Sequence, residues 1–214
     1  MSHLIDASTF EAIRRHYHVP PHHNAHAPTM SLGFGLLHYA LVRNLRCRRV
    51  LVVGSQRGFV PAVCGVACRD QGFGSVDFVD AGYSDSDRDS WGGVGVWQSA
   101  TPEYWAPIGC QSVIRIHACR LEDFSPEATY SYCYVDADHS YEGVRRDFEF
   151  CDRVLEPGGI MSFHDVSVER SGKWGEFGVR RFWEGLRSEE GFAERFEQLT
   201  LPMDAGLGLL RKRS

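Results

Sequence analysis

Residues 135–165 read VDADHSYEGVRRDFEFCDRVLEPGGIMSFHD. Val135, with Tyr130, Tyr132 and Tyr134 before it, suits a buried strand, and Ile160, Met161 and Phe163 suit a second. Between them Tyr141, Val144, Phe148, Cys151 and Leu155 recur at steps of three and four, which is one face of a helix. A turn at Pro157, Gly158 and Gly159 is expected to lead into the second strand. A strand-helix-strand crossover is right-handed, so the strands run parallel and Asp136, Asp138, His139, His164 and Asp165 emerge at one carboxyl edge. If the strands are neighbours, their tips stand about 5 Å apart. Several ionisable groups then share one crevice, which points to an enzyme site.

Upstream, Arg49 to Val53 is a short apolar strand, followed by the turn Gly54-Ser55-Gln56-Arg57-Gly58 and an apolar helix from Phe59 to Cys68. Strand, glycine turn and helix in that order form the first half of a dinucleotide or nucleoside site. Ser75 to Asp80 is a second strand ending in an acid, and Val113 to His117 a third, followed by the acidic turn Leu121 to Phe124. Downstream, Val179 to Leu186 reads as a helix, and Arg195–Leu201 with Leu207–Arg211 as a terminal strand pair. Five strands alternating with helices and then a hairpin predict an α/β, doubly wound, mostly parallel sheet with an antiparallel C-terminal edge strand. Residues 1–214 are expected to form a single domain.

The remaining segments carry less pattern. Residues 1–30 hold a short helix, with Ser8 as its cap and Glu11 three later, and then break at Pro20, Pro21 and Pro28. His16, His18, His22, His23 and His26 fall here, and the prolines deny them a regular ligand spacing. This His-rich stretch is expected to be a mobile arm or lid. From Ser31, Leu32, Gly35 or Leu36, Tyr39, Val42 and Leu45 line one side of a helix. Residues 83–109 hold Trp91, Trp97 and Trp105 with weak periodicity, and read as a loop that shapes a substrate pocket. Asp85, Asp87 and Asp89 lack the glutamate that a calcium loop needs, since position 96 is valine.

Composition removes several function classes. With 214 residues, 43% of them hydrophobic, and a formal charge of −5, the chain can bury a full core and has no basic excess to neutralise phosphates. Nucleic acid is therefore not an expected partner. No stretch reaches the ~20 apolar residues of a membrane helix, and the N-terminus has no apolar signal core, so no membrane association and a cytoplasmic location are expected. The seven cysteines form no Cys-x-x-Cys pair and read as reduced core thiols, Cys64 and Cys68 included.

In such a sheet the ligand lies across the carboxyl ends of the strands. Gly54 and Gly58 allow a tight turn and close approach of a ligand to the backbone, while Asp80, 26 residues beyond Gly54, stands where a carboxylate accepts both ribose hydroxyls. Glu122 and Asp123 could line the adenine end. A nicotinamide dinucleotide would favour Gly-x-Gly-x-x-Gly, and here serine holds a position of that run. S-adenosylmethionine, which has ribose and adenine but no phosphate, suits the shorter turn.

The order of these motifs carries a family resemblance. Val-x-x-Gly-Ser-x-x-Gly, the acid after strand two, Val-Asp-Ala-Asp-His-Ser-Tyr-Glu-Gly, Leu-x-Pro-Gly-Gly, Phe-His-Asp and Gly-Val-Arg-Arg-Phe-Trp together resemble the class I S-adenosylmethionine-dependent methyltransferases. Within them the chain looks like the small O-methyltransferases of macrocin and mycinamicin type, and more distantly the caffeoyl-CoA and catechol types. The resemblance spans residues 31 to 214. It implies a Rossmann-like seven-stranded sheet and a methyl donor held by Gly54, Ser55, Gly58 and Asp80, with Glu122 or Asp123 nearby. By position in the metal-dependent relatives, it also implies a divalent metal, magnesium or manganese, among Asp136, His164 and Asp165, with His139 as the base. The chain departs at His164, where those relatives carry an acid; magnesium prefers oxygen, so manganese, iron or no metal are the alternatives. Methyl transfer needs an oxyanion in line behind the sulfonium methyl, which is the chemistry a metal or a base would supply.

The function expected is O-methylation of a small-molecule acceptor, a sugar or polyketide hydroxyl of natural-product biosynthesis, with a homo-oligomer allowed. The competing readings are an NAD(P)-dependent oxidoreductase, weakened by the absence of a Tyr-x-x-x-Lys pair, and a catalytically silent nucleoside-binding subunit.

Overall fold

The computed structural model describes residues 5–17, 19, 21–23, 31–81, 96–169, 171–172 and 175–214. Its centre is a seven-stranded sheet. The strands are β1 (Arg49–Val53), β2 (Ser75–Val79), β3 (Ile114–His117), β4 (Tyr130–Val135), β5 (Leu155–His164), β6 (Phe196–Leu201) and β7 (Leu207–Lys212). Their spatial order is β3-β2-β1-β4-β5-β7-β6. The first five pair in parallel, and the last two run antiparallel to their neighbours. This is the doubly wound sheet with an antiparallel C-terminal edge that the alternation of patterns predicts.

Two apolar layers sandwich the sheet, because parallel strands bury both faces. On one side lie α2 (Phe34–Asn44) and α3 (Phe59–Gln71), against Val50, Val52, Phe78 and Tyr132. Phe59 to Cys68 are all buried, so α3 is hydrophobic all round rather than amphipathic. On the other side α4 (Tyr141–Val154) and α5 (Val179–Gly185) cover Leu51, Cys133, Met161 and Phe163. The apolar stripe of α4 buries Val144, Phe148 and Cys151 as its spacing predicts.

Three local readings are corrected. The N-cap of α1 (Ala7–His16) is Asp6, whose carboxylate accepts from the Thr9 amide at 2.7 Å, while Ser8 only donates its hydroxyl to that carboxylate. A carboxylate at this position meets the positive end of the helix, which favours it over the hydroxyl. Pro157, Gly158 and Gly159 lie inside β5 rather than in a turn before it: Tyr130 pairs with Leu155 and Tyr132 with Ile160, so the extra residues form a bulge, with Gly158 at φ +79. Finally, Trp97 and Trp105 do not face a substrate. They stack at 5.8 Å in the core beside Phe78, below Gly58, because their rings fill the space beyond the start of α3. Trp91 and the acids at 85, 87 and 89 lie outside the described residues, as do His18 and His26.

A buried carboxylate ties four strands together. Asp77 of β2 accepts from Arg49 Nη2 at 2.9 Å, from Tyr130 Oη at 3.0 Å and pairs with His117 Nε2 at 2.9 Å and Arg115 Nε at 3.0 Å. Burial alone would raise its pKa, but His117, Arg49 and Arg115 outweigh burial and hold the carboxyl down at about 2. A depressed folded-state value means the stabilisation is present above the unfolded pKa and is lost as pH falls through the folded one. Urea unfolding is therefore expected to lose about 2 kcal/mol from this group between pH 4 and pH 2. Asp77→Asn should cost about 3 kcal/mol at pH 7 and flatten that acid limb; an unchanged midpoint in the variant would show that the network contributes nothing.

Candidate active site

Register sets the site. Val53 pairs with Val79 and with Val135, and Val135 with Phe163, so the next residues, Gly54, Asp80, Asp136 and His164, stand in a row along the carboxyl edge. Strand order reverses between β1 and β4, which is the switch point where doubly wound sheets open a crevice. Here the two strand ends nearly touch. Gly54 sits at φ +69, and a Cβ placed on it would lie 2.2 Å from the carbonyl oxygen of Asp136, so only glycine fits.

A cavity of about 650 Å³ opens above this point. Gly54, Ser55, Asp80, Glu122, Asp136, His139 and Asp165 all line it. Three other residues singled out in the sequence do not. Gly58, left-handed at φ +87, faces Trp105 and Trp97, where its missing side chain makes room for their rings. Asp123 lines a separate, smaller cleft beside Asp77. His164 is buried and does not line the cavity. The Ser55 hydroxyl accepts from the Val60 amide at 3.1 Å and so is used in starting α3.

The acids and imidazoles converge as a charge-balanced cluster. His139 Nε2 stands 2.9 Å from Asp165 Oδ2 and 3.3 Å from Asp136 Oδ1. His164 Nδ1 approaches the same carboxylates at 3.2 Å and 3.7 Å. Tyr134 donates its hydroxyl to Asp136 at 2.9 Å, Phe177 stacks on the His139 ring at 4.6 Å, and the Gly178 amide donates to the His139 carbonyl at 2.8 Å. Asp165 is held at φ +64, an uncommon conformation for a residue with a side chain. Asp138 departs from the cluster: it accepts from the Ser140 amide at 2.9 Å, folds over Gly143 and pairs with Arg146.

Charge states follow from this geometry. Burial works against a charged His139, yet hydrogen bonds to Asp136 and Asp165 overcome it and raise its pKa to about 10. His164 is raised by Asp136 and Asp165 against the same burial, and Asp165, although buried, is held far below the carboxylate range by His139 and His164. His23 behaves oppositely: burial and the neighbouring imidazoles keep it neutral.

Some groups at the cavity were assigned no individual role from the sequence. His22, from the turn Pro21–His23, lines the cavity, and the His23 ring stacks on His164 at 4.1 Å. The turn Pro21–His23 is thus packed into the site, while α1 lies against Tyr104 and Trp105. Asp147 also lines the cavity; burial and the nearby Asp138 raise its pKa to about 7. An acid on the apolar stripe of α4, between Val144 and Phe148, was the available signal.

A methyltransferase-domain family model matches residues 51–166, more than half of the chain. The chain belongs to this methyltransferase family. Solved methyltransferases share its fold at low identity. The Bacillus cereus O-methyltransferase in complex with SAH is 17% identical, with 98% of this chain and 93% of that one covered at a TM-score of 0.66. The O-methyltransferase TomG from Streptomyces achromogenes, described as involved in tomaymycin synthesis and complexed with SAM, is 17% identical over 99% and 92% of the chains, at 0.62. The SAH-bound Podospora anserina methyltransferase PaMTH1 is 16% identical over 98% and 89%, at 0.65. No curated protein matches the sequence. In this methyltransferase none of the described helices is long and apolar enough to cross a membrane.

The histidine state is directly measurable. In the metal-free methyltransferase, the His139 imidazole resonances should stay those of the protonated ring through neutral pH and titrate near 10, and Asp165→Asn should bring the midpoint down by at least one unit. A wild-type midpoint near 6.5 would show that the carboxylates do not hold the proton.

Proposed function

We propose that this methyltransferase moves the methyl group of S-adenosylmethionine to a hydroxyl of a small molecule. The observation that carries the reading is a single cavity lined both by the glycine turn with Asp80 and by His139 between two carboxylates. Asp80 would accept the ribose hydroxyls, the backbone at Gly54 and Ser55 would face the amino-acid end, and Glu122 would face the adenine. Gly58 and Asp123 are left out because their side of the backbone faces elsewhere.

His139 serves as proton acceptor for the acceptor hydroxyl, with Asp136 and Asp165 setting when it can act. While the ring carries its proton between them it has no lone pair to offer, so the step requires that proton first to pass to solvent through the cavity that His139 lines, leaving a neutral ring to take the acceptor's proton. Tyr134, Phe177 and the Gly178 amide hold the donor-side carboxylate and the ring in place. Asp136 and Asp165 would also hold a divalent cation, and their ligand atoms lie within 4.8 Å of each other and of His139. Held by the two carboxylates alone, such a cation would be magnesium or manganese, and His139 would stay free to act as the base. Such an ion would take over the positive charge now carried by His139 and lower the cost of an oxyanion.

The acceptor is proposed to be a sugar or polyketide hydroxyl of a natural-product pathway, on the resemblance of the DADHSYEG and PGG…FHD segments to macrolide-sugar enzymes and in keeping with what TomG is described as doing. A cytoplasmic setting is proposed with it, supported by cysteines that are free thiols, six of them buried.

Calorimetric titration separates the competing readings. S-adenosylhomocysteine is expected to bind and NAD to leave no heat; the reverse result overturns the proposal. Asp80→Ala should weaken S-adenosylhomocysteine roughly tenfold or more, as loss of hydrogen bonds worth about 1.5–3 kcal/mol implies. His139→Ala should bind it as wild type does and lose about 10²–10⁴-fold in transfer rate. An active His139→Ala enzyme would remove the base from the scheme.

A further inference from the structure

Behind the carboxylate cluster three imidazoles gather. His22 and His23 come from the turn Pro21–His23, and His164 ends β5. One ring nitrogen from each can be chosen so that all three lie within 4.8 Å of one another. The His23 and His164 rings stack at 4.1 Å and 10°, and the His22 ring centroid lies 5.2 Å and 5.3 Å from theirs. His23 and His164 are each 2% exposed. As packing alone this is a poor choice: phenylalanine would fill the same space with no polar atoms to satisfy. Instead His23 Nδ1 is buried without a hydrogen-bond partner among the described residues.

We propose that His22, His23 and His164 form a binding site for a borderline divalent transition ion, of the Zn²⁺ or Co²⁺ class, distinct from the carboxylate cluster. Unsatisfied ring nitrogens support it. The Nδ1 atoms of His164 and His23 are both buried without a hydrogen-bond partner among the described residues, that of His164 3.2 Å from Asp165 Oδ1, while His164 Nε2 donates to the His22 carbonyl at 3.4 Å. His23 Nε2 stands 4.0 Å from Asp136 Oδ2, beyond hydrogen-bond distance, so the ring is not fixed by that carboxylate. As stacked, the in-plane lone pairs of His23 and His164 lie in parallel planes, so an ion would be bound only once the His23 ring turns out of the stack. Three imidazoles select Zn²⁺, Co²⁺ or Ni²⁺ over Mg²⁺ and leave the fourth corner of a tetrahedron for water. A bound ion would tie the Pro21–His23 turn to the end of β5, beside the cavity that His22 lines.

The site does not depend on the methyl-transfer reading, and its test avoids activity. The full chain, stripped with a chelator, is titrated with Co²⁺ and followed by visible absorption and equilibrium dialysis. Asp136→Asn with His139→Ala dismantles the carboxylate cluster; this variant is expected to bind one equivalent of Co²⁺ with the intense bands of tetrahedral geometry. Adding His23→Phe, which keeps the ring stack, or His22→Ala should bleach those bands and weaken binding by more than the roughly 10–100-fold that loss of an outer partner costs. In the otherwise wild-type chain, His23→Phe alone should lower the stoichiometry by one equivalent. Cobalt binding that survives His23→Phe and His22→Ala unchanged, or a folded Asp136→Asn/His139→Ala variant that binds none, overturns the proposal.

Discussion

The contact between the ends of β1 and β4 is the constraint on which the rest of the structure depends. Parallel pairing brings Val53 beside Val135, and the chains must then part toward α3 and α4. Gly54 makes this possible, since any side chain there would collide with the Asp136 carbonyl. Because the tips stay that close, a ligand lying across the glycine turn is within one cavity of Asp136 and His139. A slip of one residue in this register would turn Asp136 to the opposite face of the sheet and separate the two halves of the site.

Electrostatics then decides what the converging side chains can do. Asp136 and Asp165 near each other would repel if both were ionised without compensation, and one would take a proton. His139 prevents this by lying between them, and it accepts a raised pKa in return. The imidazolium therefore occupies the position that suits a small cation. Charge balance, more than packing, holds the rim together, and a cation entering the cluster must compete with that proton.

Much of the scaffold was legible in the sequence because buried parallel strands are plain apolar runs and α4 is a clean three-and-four stripe. The crossover rule turned those patterns into one edge, so seven of the ten singled-out side chains and glycines line the cavity that the structure contains. What escaped had physical reasons. Gly58 and Gly54 look alike in sequence, yet one faces tryptophan rings and the other a carbonyl, a difference set by tertiary packing. Trp97 and Trp105 sit in a stretch with little period, so their burial could not be read from spacing. His23 is flanked by prolines and histidines that suggest exposure, and only its stack on His164 reveals it as core. The charge on His139 depends on distances to two acids from different strands, which no local pattern encodes.

Two of the four left-handed non-glycine residues among those described lie where the chemistry is proposed. Gln56 at φ +46 and Asp165 at φ +64 both line the cavity, and each such left-handed residue costs about 1–3 kcal/mol. Neither conformation would persist on local preference. Gln56 is held through its carbonyl, which accepts from the buried Trp97 indole at 3.0 Å, and Asp165 through its carboxylate, which both His139 and His164 engage. The core and the charge cluster thus offset strain at two points of the rim. A relaxed Asp165 would point its carboxylate away from His139, leave the imidazole with one acid instead of two, and lower its proton affinity. Backbone geometry at a single residue is in this way coupled to the charge state of the proposed base.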